Sequence, residues 1–124
     1  MDHEGEVFMT KDRDNALFEA GIKLGALYHQ FVGSPINLET VQSLEEAIEK
    51  SISLQPYVKS VKVTINRSVI EEMLNSFGYC ELSGRMLDVD LVVNVGTVEV
   101  HAGIAYNMDM EYPLMAVKEV TGGP

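Results

Sequence analysis

Residues 15–36 read NALFEAGIKLGALYHQFVGSPI, and the way this stretch winds decides the fold. At about 100° per residue, Leu17, Ala20, Leu24, Leu27 and Phe31 fall on one side as a broad apolar stripe. Phe18, Ile22, Gly25 and His29 make a narrower stripe roughly opposite, and Glu19, Lys23 and Gln30 form a thin polar seam between them. A surface helix needs only one apolar face. A helix with two is expected between its own sheet on one side and another helix or subunit on the other. Glu19 and His29 would then sit in confined surroundings, where a carboxylate and an imidazole can do chemistry. The plainer reading is a core helix with a solvated glutamate and a satisfied histidine.

Upstream, residues 1–9 read as a loose arm or a short edge strand, with Thr10 or Asp14 as the helix cap. Asp12 and Asp14 suit the positive end of that helix. Downstream, Gly33 ends it and Pro35 blocks its continuation. Asn37 caps a second helix, whose stripe is Val41, Leu44, Ile48 and Ile52. Glu45, Glu46, Glu49 and Lys50 are expected to face solvent. Gln55-Pro56-Tyr57 breaks this helix, and VKSVKVTINR after it alternates as a strand. Ser68 and Glu71 form a capping box for a short third helix with the stripe Ile70, Met73, Leu74 and Phe77, closed by Gly78. Residues 85–95 alternate as a strand, Gly96-Thr97 fits a type II′ turn, and the return strand runs to Tyr106. This register pairs Asn94 with Glu99, Val92 with His101 and Leu87 with Tyr106. After the loop NMDMEYP comes a last strand, LMAVKEV, and a frayed TGGP tail at residues 121–124. The order is roughly ααβαβββ, an α+β fold with helices packed on one face of a largely antiparallel sheet.

The chain of 124 residues suits one domain, residues 1–124. Its 46% hydrophobic and 23% charged residues are ordinary for a globular chain. No apolar run approaches the roughly 18 residues of a membrane span, and the N-terminus lacks the features of a secretory signal. The single cysteine, Cys80, leaves no internal disulfide and fits a reducing cytoplasm. A formal charge of −10 argues against nucleic-acid and anionic-membrane partners. The second sheet face mixes Val92, Gly103 and Ala105 with charged residues, so it too is expected to be partly covered, which favours a homo-oligomer.

Phosphate loops, nucleophile elbows, paired cysteines and H-E-x-x-H are absent from the sequence. Two constellations can carry chemistry. Asp88, Asp90, Glu99 and His101 share one hairpin face. Strand pairing spreads them over several rungs, so solvent exposure or an intersubunit polar network is expected there rather than a metal centre. The second comprises Glu19, His29, Gln55, Tyr79, Tyr106 and Tyr112. Glu19 and His29 stand about 15 Å apart along the helix axis, so they would meet one small molecule only across an interface. Tyr79 and Tyr112 read equally well as packed aromatics.

FEAGIKLGALYHQFVGSPI, followed by LQPYV and GIAYNMDMEYPLM, resembles the archaeal dihydroneopterin aldolase family, and the likeness spans nearly the whole chain. It implies an oligomeric, tetrameric α+β enzyme of methanopterin-type cofactor synthesis, a carbon–carbon lyase in the cytoplasm. The enzyme would cleave 7,8-dihydroneopterin into 6-hydroxymethyl-7,8-dihydropterin and glycolaldehyde. The N5=C6 imine of that substrate is its own electron sink, so neither a metal, a cofactor nor a lysine imine is expected. Glu19 matches the anchoring glutamate, whose carboxylate would accept the pterin 2-amino and N3–H hydrogens. By the same resemblance His29, Gln55 and Tyr106 are site positions. Gln55 would orient a water or hydroxyl, Tyr106 would pass a proton, and His29 would be a base or a hydroxyl ligand. Two other classes stay open: a non-catalytic pterin- or purine-binding module using Glu19, and an acidic oligomeric structural or interaction protein.

Overall fold

The computed structural model describes residues 11–123. In chain order they form helix α1 (Asp12–Phe31), strand β1 (Pro35–Ile36), helix α2 (Val41–Ser53), strand β2 (Val58–Ile65) and helix α3 (Arg67–Met73). Strands β3 (Cys80–Glu81), β4 (Leu87–Val95), β5 (Val98–Asn107) and β6 (Tyr112–Thr121) complete the chain. The architecture is the expected α+β. Strands β2, β4, β5 and β6 form one antiparallel sheet in that order, with α1 packed over β4 and β5 and α2 over β2. β1 and β3 pair as a separate two-stranded ribbon, which the sequence did not announce because two residues leave no alternation to read. The expected arm at residues 1–9 and the Thr10 cap lie outside the described residues.

α1 starts three residues before Asn15 and ends at Phe31. Asp14 is not its cap. It lies in the first turn beside Asp12, and Lys11 precedes the helix with no side-chain cap. Gly33 stops the helix at a φ of 100°, and its N–H bonds to the Leu82 carbonyl at 2.8 Å. Ala16, Ala20, Leu24 and Leu27 bury the broad stripe against Val89, Leu91, Val100 and Ile104 in one core. Each leucine buried there contributes about 1.5–3 kcal/mol.

Thr40, not Asn37, directly precedes α2 and makes no side-chain cap; Asn37 instead holds the turn that leads into the helix. Its Oδ1 accepts from the N–H groups of Glu39 (2.9 Å) and Thr40 (3.1 Å), and its carbonyl accepts from that of Val41 (3.0 Å). Val41, Ile48 and Ile52 are buried and Leu44 packs at their margin. Glu45 and Glu49, however, do not form a solvated face. The β2 edge facing away from β4 has unpaired N–H groups, and these two carboxylates take them: Val63 N–H donates to Glu49 Oε2 and Ile65 N–H to Glu45 Oε2, both at 2.8 Å. The helix thereby covers a strand edge that would otherwise be open for pairing.

The third helix also differs from expectation. Asn66, not Ser68, is the N-cap, its side chain accepting from Val69 N–H at 3.2 Å. The helix stops at Met73 and buries only Val69 and Ile70, while Phe77 is 86% exposed. Gly78 belongs to a separate turn in which its N–H reaches the Asn75 carbonyl. Seven residues give two turns, too few for the apolar stripe to continue to position 77.

The β4–β5 hairpin has the expected register, with Val95 opposite Val98, Asn94 opposite Glu99 and Val92 opposite His101. Assigned pairing stops at Val89–Ile104, short of Leu87–Tyr106. Gly96 has a φ of 58° and Thr97 is not in the left-handed region. That combination fits type II′, since type I′ needs positive φ at both central residues. Among the described residues no helix is long and apolar enough to cross a membrane.

Candidate active site

α1 lies across the sheet, and the candidate residues divide between its two ends. Its N-terminal end lies by the hairpin turn, where the Asp12 carboxylate abuts Gly96. Its C-terminal end lies where β6 begins, with the Tyr28 hydroxyl and Pro113 closing on Gly84.

Near the first end, two turns into α1, Glu19 Oε1 accepts a 2.6 Å hydrogen bond from Lys23 Nζ. Four residues is the helical spacing at which such a pair meets, with the acid N-terminal to the base. Lys23, although its spacing sets it on the polar seam, is only 6% exposed. A broad stripe covering more than a third of the helix takes in its aliphatic stem, and the ammonium is balanced by the carboxylate beside it. Glu19 remains 23% exposed and so is reachable from outside. Lys23 Nζ also lies 5.9 Å from the centre of the Tyr57 ring, at the outer range of a cation–π contact.

Tyr57 brings the Gln55-Pro56-Tyr57 break to this place. Its φ is 73°, a region that a bulky L residue enters at a cost of about 1–3 kcal/mol. The turn is fixed at both sides. Gln55 N–H bonds to the Ile52 carbonyl at 3.0 Å, and the Tyr57 carbonyl accepts from Asn94 N–H at 2.8 Å. Partly buried Gln55 is thus held two residues from the ring that Lys23 faces. The structure therefore associates Glu19 with the turn that carries Gln55, and adds Lys23 and Tyr57, which the sequence reading had not singled out. The signal was present in the i, i+4 spacing of Glu19 and Lys23.

The other candidates lie toward the opposite end. His29 is exposed on the last turn of α1. Tyr79 lines a groove with Val32 and Gly33, just beyond that helix end. Tyr112 opens β6 opposite Asn107 and is exposed. Tyr106, near the end of β5, lines an open groove of about 740 Å³ with Thr64, Asn66, Arg85 and Asp88. Glu19 and the turn bearing Gln55 thus lie apart from His29, Tyr79, Tyr106 and Tyr112, and Tyr79 and Tyr106 line separate grooves.

On the sheet face away from the helices, Lys59 Nζ donates to Glu99 Oε2 at 2.6 Å, and His101 Nε2 lies 3.0 Å from Glu99 Oε1. The Lys59 hydrogen bond, and then that of His101, hold the Glu99 carboxyl below its ordinary range. Asp90 pairs separately with Lys118. Among the described residues no three His, Cys, Asp or Glu side chains gather as a metal-binding group. Cys80 is buried with Sγ 3.9 Å from the Ile70 carbonyl, and burial pushes its thiol pKa up. It behaves as a small hydrophobe rather than a nucleophile.

The family model described as dihydroneopterin aldolase matches residues 11–118. A protein named dihydroneopterin aldolase from Picrophilus torridus is 37% identical over 113 residues, 91% of this chain and 92% of that one. One of the same name from Methanopyrus kandleri is 41% identical over 109 residues, 88% of this chain and 89% of that one. A crystal structure of a Picrophilus torridus protein superposes with a TM-score of 0.84 at 37% identity, covering 97% of both chains.

Proposed function

The chain belongs to the dihydroneopterin aldolase family, and from that premise we propose that it cleaves 7,8-dihydroneopterin by a retro-aldol reaction within methanopterin-type cofactor synthesis. The observation that carries the reading is Glu19, a partly exposed carboxylate held by Lys23 beside the turn that bears Gln55. Glu19 accepts the 2-amino and N3–H hydrogens of the pterin ring, a paired acceptor for a paired donor. Lys23 occupies part of Oε1 only, leaving lone pairs on both oxygens.

The chemistry needs a proton taken from the side-chain 2′-hydroxyl and one returned to carbon. As the 2′-oxygen loses its proton, the C1′–C2′ bond breaks and C2′–C3′ leaves as glycolaldehyde. The bonding pair passes into the N5=C6 imine, and C1′ is then protonated to give the hydroxymethyl group. Because the substrate supplies the electron sink, the reaction requires neither a lysine imine nor a metal. Tyr106 moves the proton, Gln55 orients the water or hydroxyl that relays it, and His29 holds the side-chain hydroxyls. Tyr79 and Tyr112 are aromatic walls at the same end as His29.

Glu19 and His29 stand about 15 Å apart along α1, so the site is shared. One protomer contributes Glu19 and Gln55, and a second contributes His29 and Tyr106. Supporting this, the narrow stripe of α1 has no partner among the described residues, with Phe18 70% and Ile22 43% exposed. Among the described residues β6 is also an edge strand, with Leu114, Met115 and Val117 exposed. A closed assembly, tetrameric by the family resemblance, would cover both surfaces. The reduced substrate and the single free cysteine suit a cytoplasmic enzyme. Incubation with 7,8-dihydroneopterin is expected to release glycolaldehyde equally with and without a chelator. Loss on chelation with recovery on adding metal, or a protein adduct trapped by borohydride, would count against the proposed chemistry. Binding without product would leave only a pterin-binding module.

A further inference from the structure

Lys23 has more hydrogen-bonding capacity than the described residues use. A lysine ammonium carries three donors. One goes to Glu19 Oε1 at 2.6 Å, and a second direction faces the Tyr57 ring, which takes positive charge but is no hydrogen-bond acceptor of ordinary strength. Among the described residues the ammonium has no further acceptor. Lys23 is 6% exposed, so its remaining donors have little access to water. The unused donor sits beside the Glu19 carboxylate, the more accessible member of the pair.

We propose that Lys23 is a specificity-determining residue, donating to the ring carbonyl next to the two N–H donors that Glu19 accepts. This rests on the reading of Glu19 as the pterin anchor. A 2-amino-4-oxo ring edge presents donor, donor and acceptor in sequence: the amino group, the ring N–H and the C4 carbonyl. The two oxygens of Glu19 and the ammonium of Lys23 present acceptor, acceptor and donor. The match selects 2-amino-4-oxo heterocycles. It rejects a 4-amino ring, which would set a donor against the ammonium and leave an unprotonated N3 against the carboxylate. Tyr57 keeps the ammonium from swinging away, which gives the strained φ of 73° in its turn a purpose.

The test compares Kd values for 6-hydroxymethylpterin and 2,4-diaminopteridine by fluorescence titration. The parent protein is expected to favour the oxo ligand at least about tenfold, and equal affinities would overturn the proposal whatever any variant does. Lys23→Met retains the aliphatic stem and removes the donor. It should weaken the oxo ligand by about 10- to 100-fold, the worth of one charge-assisted bond, and leave the diamino ligand within about threefold. Lys23→Arg should restore most of the discrimination. Equal weakening of both ligands by Lys23→Met would show a merely structural lysine. Glu19→Gln separates the two readings. If it leaves 6-hydroxymethylpterin binding unchanged, the anchor itself is wrong. If it weakens binding while Lys23→Met does not alter the ligand ratio, only the Lys23 proposal fails.

Discussion

Glu45→Ala is expected to destabilise the fold by about 2–3 kcal/mol, although the sequence reads Glu45 as a surface residue. The substitution removes the acceptor of Ile65 N–H, at 2.8 Å on a residue that is fully buried. A hydrogen bond to a charged acceptor contributes about 1.5–3 kcal/mol. It also removes the Arg67 partner, with Glu45 12% and Arg67 45% exposed; a pair that open is worth no more than about 1 kcal/mol. Water reaching the freed strand edge returns part of the loss. Glu49→Ala, which frees Val63 N–H but breaks no ion pair among the described residues, should cost less, about 1–2 kcal/mol. Acid dependence provides a second check. Burial works to raise the Glu45 pKa, but the Arg67 hydrogen bond, the Ile65 N–H and the charges of Arg67 and Lys62 outweigh it, holding the carboxyl below its ordinary value of 4.5. A depressed folded-state value means that the stabilisation is complete above about pH 4.5 and is lost as pH falls through the lower folded value. Urea unfolding of parent and variant at one protein concentration, at pH 7 and then stepwise below pH 4.5, measures both effects. A difference below about 0.5 kcal/mol at pH 7, or one that grows on acidification, would refute the reasoning.

Glu19→Gln keeps an acceptor for Lys23 and should remain folded while weakening a pterin product analogue at least about tenfold, as read by calorimetric titration; unchanged affinity removes Glu19 as the anchor. Tyr106→Phe should bind the analogue nearly as well as the parent and turn over more slowly, so a normal kcat in steady-state assays would take Tyr106 out of the proton path. Coexpressed with Glu19→Gln, it should regain measurable activity in mixed assemblies, whereas activity no higher than that of either variant alone would place each site within one protomer. Gly84→Ala would set a Cβ 2.6 Å from both Pro113 Cγ and the Tyr28 hydroxyl and should cost about 1–3 kcal/mol in thermal unfolding; a neutral result would show that this end of the sheet yields freely.

The parts of the fold legible in the sequence were those set by long periodic runs and by turn chemistry. Residues 15–31 of the first helix, its Gly33 stop and the β4–β5 register from Val89–Ile104 to Val95–Val98 follow from apolar spacing and one Gly-Thr turn. What was not legible depends on neighbours distant in the chain. Glu45 and Glu49 look like any solvated helical acids until β2 places its free N–H groups against them. Lys23 looks exposed until the width of the buried stripe and the position of Tyr57 are known. Asn66 and Ser68 are both acceptable caps by type, and only the strand end at Ile65 decides between them. At the candidate site, residue types were readable and their grouping was not. Lys23 links Glu19 to Tyr57 in the break after α2, two residues from Gln55, while His29 and Tyr106 lie toward the far end of the sheet.

The most direct test of the central claim is cleavage of 7,8-dihydroneopterin in deuterated water, with the pterin product examined by proton NMR and mass spectrometry. A retro-aldol step that sends the bonding pair into the N5=C6 imine must reprotonate C1′ from exchangeable hydrogen. Glycolaldehyde and 6-hydroxymethyl-7,8-dihydropterin are therefore expected in equal amounts, with one solvent deuterium on the carbon of each hydroxymethyl group. Cleavage that leaves the hydroxymethyl group free of deuterium, or an intact substrate at saturating enzyme, would contradict the claim.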